Sequence, residues 1–256
     1  MSLKSRLKAL VAQAITAPWF GRFLRRVYKD EIGFHGVPVA SDSPFVSPVV
    51  SAKLFWGIYE GAERRFVQKY LSPDLPVIEL GSSIGGISSH VAKRLADGQK
   101  LICVEANPHL LPVLEKNLLQ NAGHLDARAI HAAISTEPGN VSFAISASSL
   151  SSSVGARRDA IDTISAPAKK LGDLLTVNGD ESYQLVMDIE GAEAGIVLAE
   201  PEALGNCRRI IAELHQTEHV GNPVSVEDLV AAFEAVSFTV RDRHGPVLVF
   251  ERRENV

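Results

Sequence analysis

The stretch that most constrains this chain is Val77-Ile78-Glu79-Leu80-Gly81-Ser82-Ser83-Ile84-Gly85-Gly86. Val77 to Leu80 is a short apolar run without a breaker, the pattern of a buried strand. Gly81 lets the backbone turn sharply, and Ile84, Ile87, Val91 and Leu95 then recur at helical spacing. A strand that runs through a Gly-rich turn into a helix presents free backbone N–H groups and a positive helix end to a ligand. At the carboxyl end of a central parallel strand, such a turn is the ligand crevice of an open α/β sheet.

The residues narrow the ligand. A dinucleotide fingerprint needs G-x-G-x-x-G, and Ser83 stands at its middle position; the phosphate loop G-x-x-x-x-G-K-[ST] is also absent. Glu79 would repel a pyrophosphate and suits a ligand with a positive end. S-adenosylmethionine has an ammonium, a sulfonium, a ribose diol and no phosphate. The next apolar run, Leu101 to Val104, ends in Glu105, 24 positions after Gly81, where a carboxylate can accept two ribose hydroxyls. Asn107 and Pro108 then have the character of an N-cap and a first helical residue.

These motifs resemble the FkbM-type S-adenosylmethionine-dependent methyltransferases over Val77 to His215. The resemblance rests on Glu79 to Gly85, Val104 to Pro108, Leu114 to Asn117, Leu171 to Leu175, and Asp188-Ile189-Glu190-Gly191-Ala192-Glu193 followed by Ile211 to His215. Two positions depart from the family pattern: Met187 where Lys is usual, and Gly172 where Asp is usual. The resemblance implies an α/β fold, a Rossmann-like, doubly wound, mostly parallel seven-stranded sheet of the class I methyltransferase type with an N-terminal helical extension. Residues 1–60 would form the basic extension and loop, and 61–256 the S-adenosylmethionine-binding domain. Cofactor contacts are then expected from Glu79, Gly81, Ser82, Ser83, Gly85, Glu105, Ala106 and Asp188, with adenine near Ala133 and Ile134. The implied acceptor is a hydroxyl of a small molecule or sugar; a nitrogen or carboxylate acceptor, or a non-catalytic cofactor-binding partner, is the alternative.

Methyl transfer is an in-line displacement, so most of the catalysis is positioning, and a hydroxyl acceptor must lose its proton. Asp188, Glu190 and His215 follow neighbouring strands and are the candidate catalytic residues. His215 suits a base at neutral pH from its ordinary pKa near ~6.5, while Asp188 could instead cap the helix after it. Asp188 and Glu213 together could hold a hard cation, yet two strand-end acids are a weak signal and no metal is assigned.

Composition bounds the rest. The apolar fraction of 46% supports a full core, and Cys103 and Cys207, far apart in apolar runs, fit buried free thiols of the cytoplasm. A net charge of −4 disfavours nucleic acid as a partner. Residues 1–31 nevertheless hold seven Lys and Arg against two acids, a balance of 7 − 2 = +5, which leaves −9 elsewhere. Leu3, Leu7, Leu10 and Ala14 share a helical face beside Lys4, Arg6 and Lys8; Phe20, Phe23, Leu24 and Val27 repeat the theme beside Arg22, Arg25, Arg26 and Lys29. A basic amphipathic pair of this kind can lie on an anionic membrane surface. The expectation is that it packs on the domain or on a second copy in a homo-oligomer. No run approaches the ~20 apolar residues of a membrane span.

Along the chain, residues 32–48 have the composition of a loop, and Phe55 to Tyr70 that of one helix. A helix is expected over Pro108 to Asn121, strands over Ala127 to Ile134 and Val141 to Ile145, and a polar loop or lid over Ser146 to Ser153. Ala168 to Leu175 has helical character, Gln184 to Met187 and Arg209 to Leu214 are strands, and Ser225 caps a helix over Val226 to Val236. Phe238 to Arg241 and Val247 to Glu251 close the pattern around His244-Gly245-Pro246.

Overall fold

In a computed structural model of the chain, residues 15–29, 31–146, 152–154, 160–178 and 182–253 are described. The chain enters through α1 (Pro18–Tyr28), with Pro in the first turn where its missing N–H loses no bond. The expected loop over 32–48 contains instead a hairpin of β1 (Glu31–Phe34) and β2 (Val37–Ala40). Ile32, Phe34, Val37 and Val39 alternate inward, and His35 and Gly36 take φ of 47° and 81°, the pair of positive angles that a two-residue turn requires. Ser47 caps α2 (Pro48–Phe55), its hydroxyl accepting from the Val49 N–H. The single helix expected from Phe55 to Tyr70 is broken by left-handed Gly57 and Glu60, and α3 (Gly61–Tyr70) begins after them.

The opening motif forms β3 (Val77–Leu80), buried at every position, and α4 (Gly86–Arg94). Then follow β4 (Lys100–Glu105), α5 (Leu111–Asn121) and β5 (Asp126–His131). α5 starts later than Pro108 because the Asn107 side chain accepts the His109 N–H and holds a turn ahead of the helix. The strand expected over Ala127 to Ile134 splits: after His131 the chain leaves the sheet, and β6 (Ala133–Ile134) pairs elsewhere. Its partners are β7 (Asn140–Ser146), β8 (Ser152–Val154) and β9 (Ala160–Lys169), a side sheet in the order β6-β9-β7-β8. β9 is the longest of the strands missed in the sequence; Ile164 and Ala166 point inward between Thr163, Ser165 and Pro167, too small and polar to announce themselves. α6 (Leu171–Asn178) therefore begins only where β9 ends, not at Ala168. Of the polar stretch read as loop or lid, Ser152 and Ser153 belong to β8, and 147–151 lie outside the described residues, as do Arg157 and Arg158.

β10 (Tyr183–Met187), α7 (Glu193–Ala199) and β11 (Cys207–Glu213) come next. A small hairpin of β12 (Thr217–His219) and β13 (Asn222–Val224) precedes α8 (Val226–Ala235), whose Ser225 and Asp228 form a reciprocal cap. β14 (Phe238–His244) and β15 (Val247–Arg252) complete the chain. The main sheet runs β14-β15-β11-β10-β3-β4-β5. β11, β10, β3, β4 and β5 are parallel, and β15 is antiparallel to both its neighbours. From β3 the order runs outward one way to β4 and β5, and from β10 the other way to β11. That reversal makes the sheet Rossmann-like and doubly wound, with its crevice beyond the carboxyl ends of β3 and β10.

Two apolar clusters sandwich the sheet. Val77, Val91, Cys103 and Leu114 join Leu24, Ile32, Phe34 and Val50 on one side, so residues before and after position 60 share a cluster. Ile78, Leu80, Val104, Phe233 and Phe250 fill the other. Asn117, fully buried on α5, joins the N-terminal hairpin to the glycine turn. It accepts the Ala40 N–H at 2.7 Å and donates to Ala40 O at 3.0 Å and Ile84 O at 2.7 Å. Asn117→Ala should lower unfolding free energy by about 2–4 kcal/mol in urea titration, because backbone groups lose their partners away from water. A loss below about 1 kcal/mol would mean that water replaces these bonds.

Candidate active site

The ends of β3 and β10 approach so closely that position 81 admits no side chain. A Cβ on Gly81 would stand 1.9 Å from the Asp188 carbonyl oxygen, and Gly81 has φ of 81°. The Gly81 and Ser82 N–H groups donate to Val104 O at 2.9 and 3.0 Å, which ties the turn to β4. Gly85, also left-handed, has its own contact: a Cβ there would meet the Leu114 side chain at 2.9 Å. The turn thus lies flat against its neighbours, and the space above it is a cavity of about 360 Å³. That is within the range of small-ligand pockets, roughly 300–1,000 Å³.

Glu105 lines this cavity and is buried, with 7% of its surface accessible. Its carboxylate accepts the Ser83 N–H at 2.7 Å and the Asn107 N–H at 2.6 Å. Burial raises its pKa, and these backbone donors oppose the shift. A carboxylate has about four lone-pair directions, so two backbone bonds leave capacity for a diol.

Gly81, Ser83, Ala106, Ala133, Ile134, Asp188 and Glu190 also line the cavity, together with Val49, Val50 and Lys53 of α2, Tyr59, Glu60 and Phe143. Glu79, Ser82 and Gly85 lie outside that lining. The strand's period of two turns Glu79 to the face covered by α4, where the Cys103 thiol donates to its Oε2 at 3.5 Å. Burial pushes Glu79 up to about 7. The Ser82 hydroxyl donates to Glu79 O at 3.3 Å, binding the turn to its own strand.

Behind Asp188 and Glu190, and itself outside that lining, His215 stands among carboxylates. Its Nδ1 donates to Glu193 Oε1 at 3.0 Å, and the Glu193 side chain is fully buried. Nε2 lies 3.8 Å from Asp188 Oδ1, 3.9 Å from Glu190 Oε2 and 3.8 Å from Glu213 Oε1. The Glu193 hydrogen bond, outweighing burial, raises His215 to about 9, so it holds its proton at neutral pH. Burial raises Asp188 to about 7 against the pull of His215, and Asp188 Oδ1 has no hydrogen-bond partner. Glu63 on α3, which sequence reasoning missed, is pushed to about 7 by burial and hydrogen-bonds Glu213. Only the fold brings α3 over β11; nothing in the Glu63 neighbourhood of the sequence distinguishes it from a surface acid. Glu60 and Lys53 were missed for the same reason.

Asp188, Glu190 and His215 each offer one ligand atom within 4.8 Å of the others, a group that could surround a cation if His215 gave up its proton. Backbone strain gathers here too. Glu60, Ser83 and Glu190 all line the cavity with φ of 39°, 51° and 52°, conformations that cost non-glycine residues about 1–3 kcal/mol each. Thus an acid with a raised pKa, a half-filled carboxylate and an uncharged apolar wall at Val104, Ala132 and Phe143 share one cavity, and these fit a cationic nucleoside ligand.

Comparison with known proteins agrees with that chemistry. A family model described as the methyltransferase FkbM domain matches residues 79–240. No curated protein sequence matches the chain. Among solved structures, the ribosomal protein L11 methylase of Lactobacillus delbrueckii subsp. bulgaricus is similar at 12% identity, covering 77% of this chain and 80% of that one with a TM-score of 0.46. The precorrin-6y C5,15-methyltransferase of Geobacter metallireducens is similar at 12% identity, over 85% and 94% of the two chains, with a TM-score of 0.45. With the family model spanning well over half of its length, this chain belongs to the FkbM methyltransferase family and uses S-adenosylmethionine.

Proposed function

We propose that this methyltransferase acts on a hydroxyl group of a small molecule or sugar, with Asp188 as the proton acceptor. The observation that carries the reading is Asp188, which lines the cavity with its carboxyl pushed up to about 7 beside a protonated His215, its buried Oδ1 without a hydrogen-bond partner. A base is most effective when its pKa lies near the working pH. His215, expected as the base, already holds a proton at pH 7; we assign it to orienting Asp188 and Glu190 and to limiting their mutual repulsion.

Within this reading, Glu105 holds the ribose hydroxyls and Ala106, Ala133 and Ile134 border the adenine. Gly81 and Ser83 shape the turn beneath the cofactor, and Asp188 and Glu190 face its positive end. Glu79, Ser82 and Gly85 act from behind, by fixing the turn. When bound, S-adenosylmethionine supplies an electrophilic methyl group on a positively charged sulfur. Asp188 orients the acceptor hydroxyl and takes its proton on the carboxylate, and the apolar wall excludes water. The acidic lining supports a neutral acceptor over a phosphate-bearing or carboxylate one, because it repels anions. It would also tolerate an amine, so amines belong in the acceptor panel. We place the reaction in the cytoplasm, where Cys103 and Cys207 persist as buried free thiols; no helix among the described residues is long and apolar enough to cross a membrane.

Three outcomes check this. S-adenosylhomocysteine should raise the melting temperature, since a ligand at 100 times its dissociation constant adds about 2.7 kcal/mol to a two-state domain. NAD should add little, and the reverse order would refute the cofactor site. Glu105→Gln keeps the shape but turns one acceptor oxygen into a donor facing a backbone N–H. It should weaken cofactor binding by about 1.5–3 kcal/mol in calorimetry and also lower stability, because Glu105 is buried. With an acceptor in hand, kcat/KM should rise with pH through an apparent pKa near 7, as the Asp188 carboxyl ionises. Asp188→Asn should remove that limb and lower the rate by about 10²–10⁴. An unchanged profile in Asp188→Asn, with the limb lost instead in His215→Gln, would return the base role to His215.

A further inference from the structure

α1 carries more apolar surface than the domain covers. Leu24 is buried, Phe20 stacks on Trp56 with ring centroids 5.9 Å apart, and a Cβ on Gly21 would stand 1.7 Å from Pro48 O. That face is seated on α2. Trp19, Phe23 and Val27 are spaced four apart and form a second stripe, and they remain 64%, 54% and 55% exposed. At about 100° per residue the stripe adjoins Arg22 and Arg26. Both are exposed, as is Lys29 at the helix end, and none of the three has a carboxylate partner among the described residues. In the sequence, Met1 to Lys29 hold seven Lys and Arg and no Asp or Glu.

We propose that α1 docks the protein onto an anionic lipid bilayer, with Trp19, Phe23 and Val27 entering the headgroup boundary and Arg22, Arg26 and Lys29 meeting lipid phosphates. An in-plane helix needs this combination of an apolar stripe with an aromatic anchor and flanking cations. A second copy fits the surface less well, because a two-fold contact through this stripe would bring the same cations of both copies together. The expected packing of the extension on the domain holds for Leu24 and Phe20 but leaves this stripe open. Docking would also matter for the site. Val49, Val50 and Lys53 of α2 line the cavity, so α1 lies one helix, about 10–12 Å, from it. An acceptor carried in the membrane surface would then be presented close to the cavity.

The test uses the full chain and vesicles of phosphatidylcholine, alone or mixed with phosphatidylglycerol, in a sedimentation assay. The protein should pellet with the mixed vesicles, release at high salt, and show a blue-shifted tryptophan emission when bound. Arg22→Gln with Arg26→Gln should lower the partition coefficient about 30-fold, at roughly fivefold per cation. Phe23→Ser with Val27→Ser should abolish binding. Both variants should keep the melting temperature and the stabilisation by S-adenosylhomocysteine, which separates a lost surface from a lost fold or cofactor site. Absence of vesicle binding by the wild-type chain, or equal binding by all variants, overturns the proposal. So does a dimer in ultracentrifugation that Phe23→Ser with Val27→Ser converts to monomer, which would assign the stripe to a second copy.

Discussion

No atom fits between Gly81 and the carbonyl oxygen of Asp188, and much of the site follows from that contact. A Cβ 1.9 Å from a backbone oxygen is impossible, so a side chain at position 81 would have to push β3 and β10 apart. Because they touch, Leu80 O accepts the Asp188 N–H at 3.0 Å, and the strand ends share one edge of the crevice. The Asp188 side chain is thereby set at the same level as Ser83, whose N–H holds Glu105. Two acids delivered by strands on opposite sides of β3 come to line one cavity, although 83 positions separate them in the chain.

Electrostatics sets the second constraint. Asp188, Glu190, Glu193 and Glu213 surround a single imidazolium, Glu63 hydrogen-bonds Glu213, and burial holds Asp188 and Glu63 near 7. His215 titrates above its unfolded value, so its stabilising contribution is complete below about 6.5 and is lost as pH rises through about 9. The raised carboxyls act in the same direction: the folded state binds more protons than the unfolded one, and stability falls as pH climbs from about 4 to 7. The cluster is therefore least comfortable when it is most negative. A ligand that brings a positive charge relieves that repulsion, whereas a phosphate would deepen it. The same cluster that raises Asp188 favours a cofactor with a positive charge.

The sequence disclosed what chain-local rules can carry. Val77 to Leu80, Gly81, and the Ser225 cap are written in neighbouring residues, and each element appears where those residues put it. The block Asp188 to Glu193 with His215 was legible only through its likeness to a family, yet the structure brings those residues together. Three kinds of feature were not legible. β9 is built from Thr, Ser, Ala and Pro, and only pairing with β7 makes it a strand. The direction of Glu79 depends on which face α4 covers, not on the motif around it. The His215 proton depends on Glu193, 22 positions away, and on burial, so the ordinary imidazole pKa did not foretell that His215 holds its proton at neutral pH.

The N-terminal residues show how a local pattern can be right in kind and incomplete in consequence. Amphipathicity in Pro18–Tyr28 correctly implied packing, but the apolar arc is wider than α2 can cover. Glycine at position 21 lets the two helices close to backbone contact, which seats Leu24 deeply and leaves Trp19, Phe23 and Val27 on the far side. Had Gly21 carried a side chain, α1 would ride higher on α2 and Leu24 would lose its burial. The same residue that anchors the extension therefore fixes which stripe faces outward. Because α2 presents its opposite side to the cavity, the orientation of that stripe and the position of the cavity mouth are set by one helix pair.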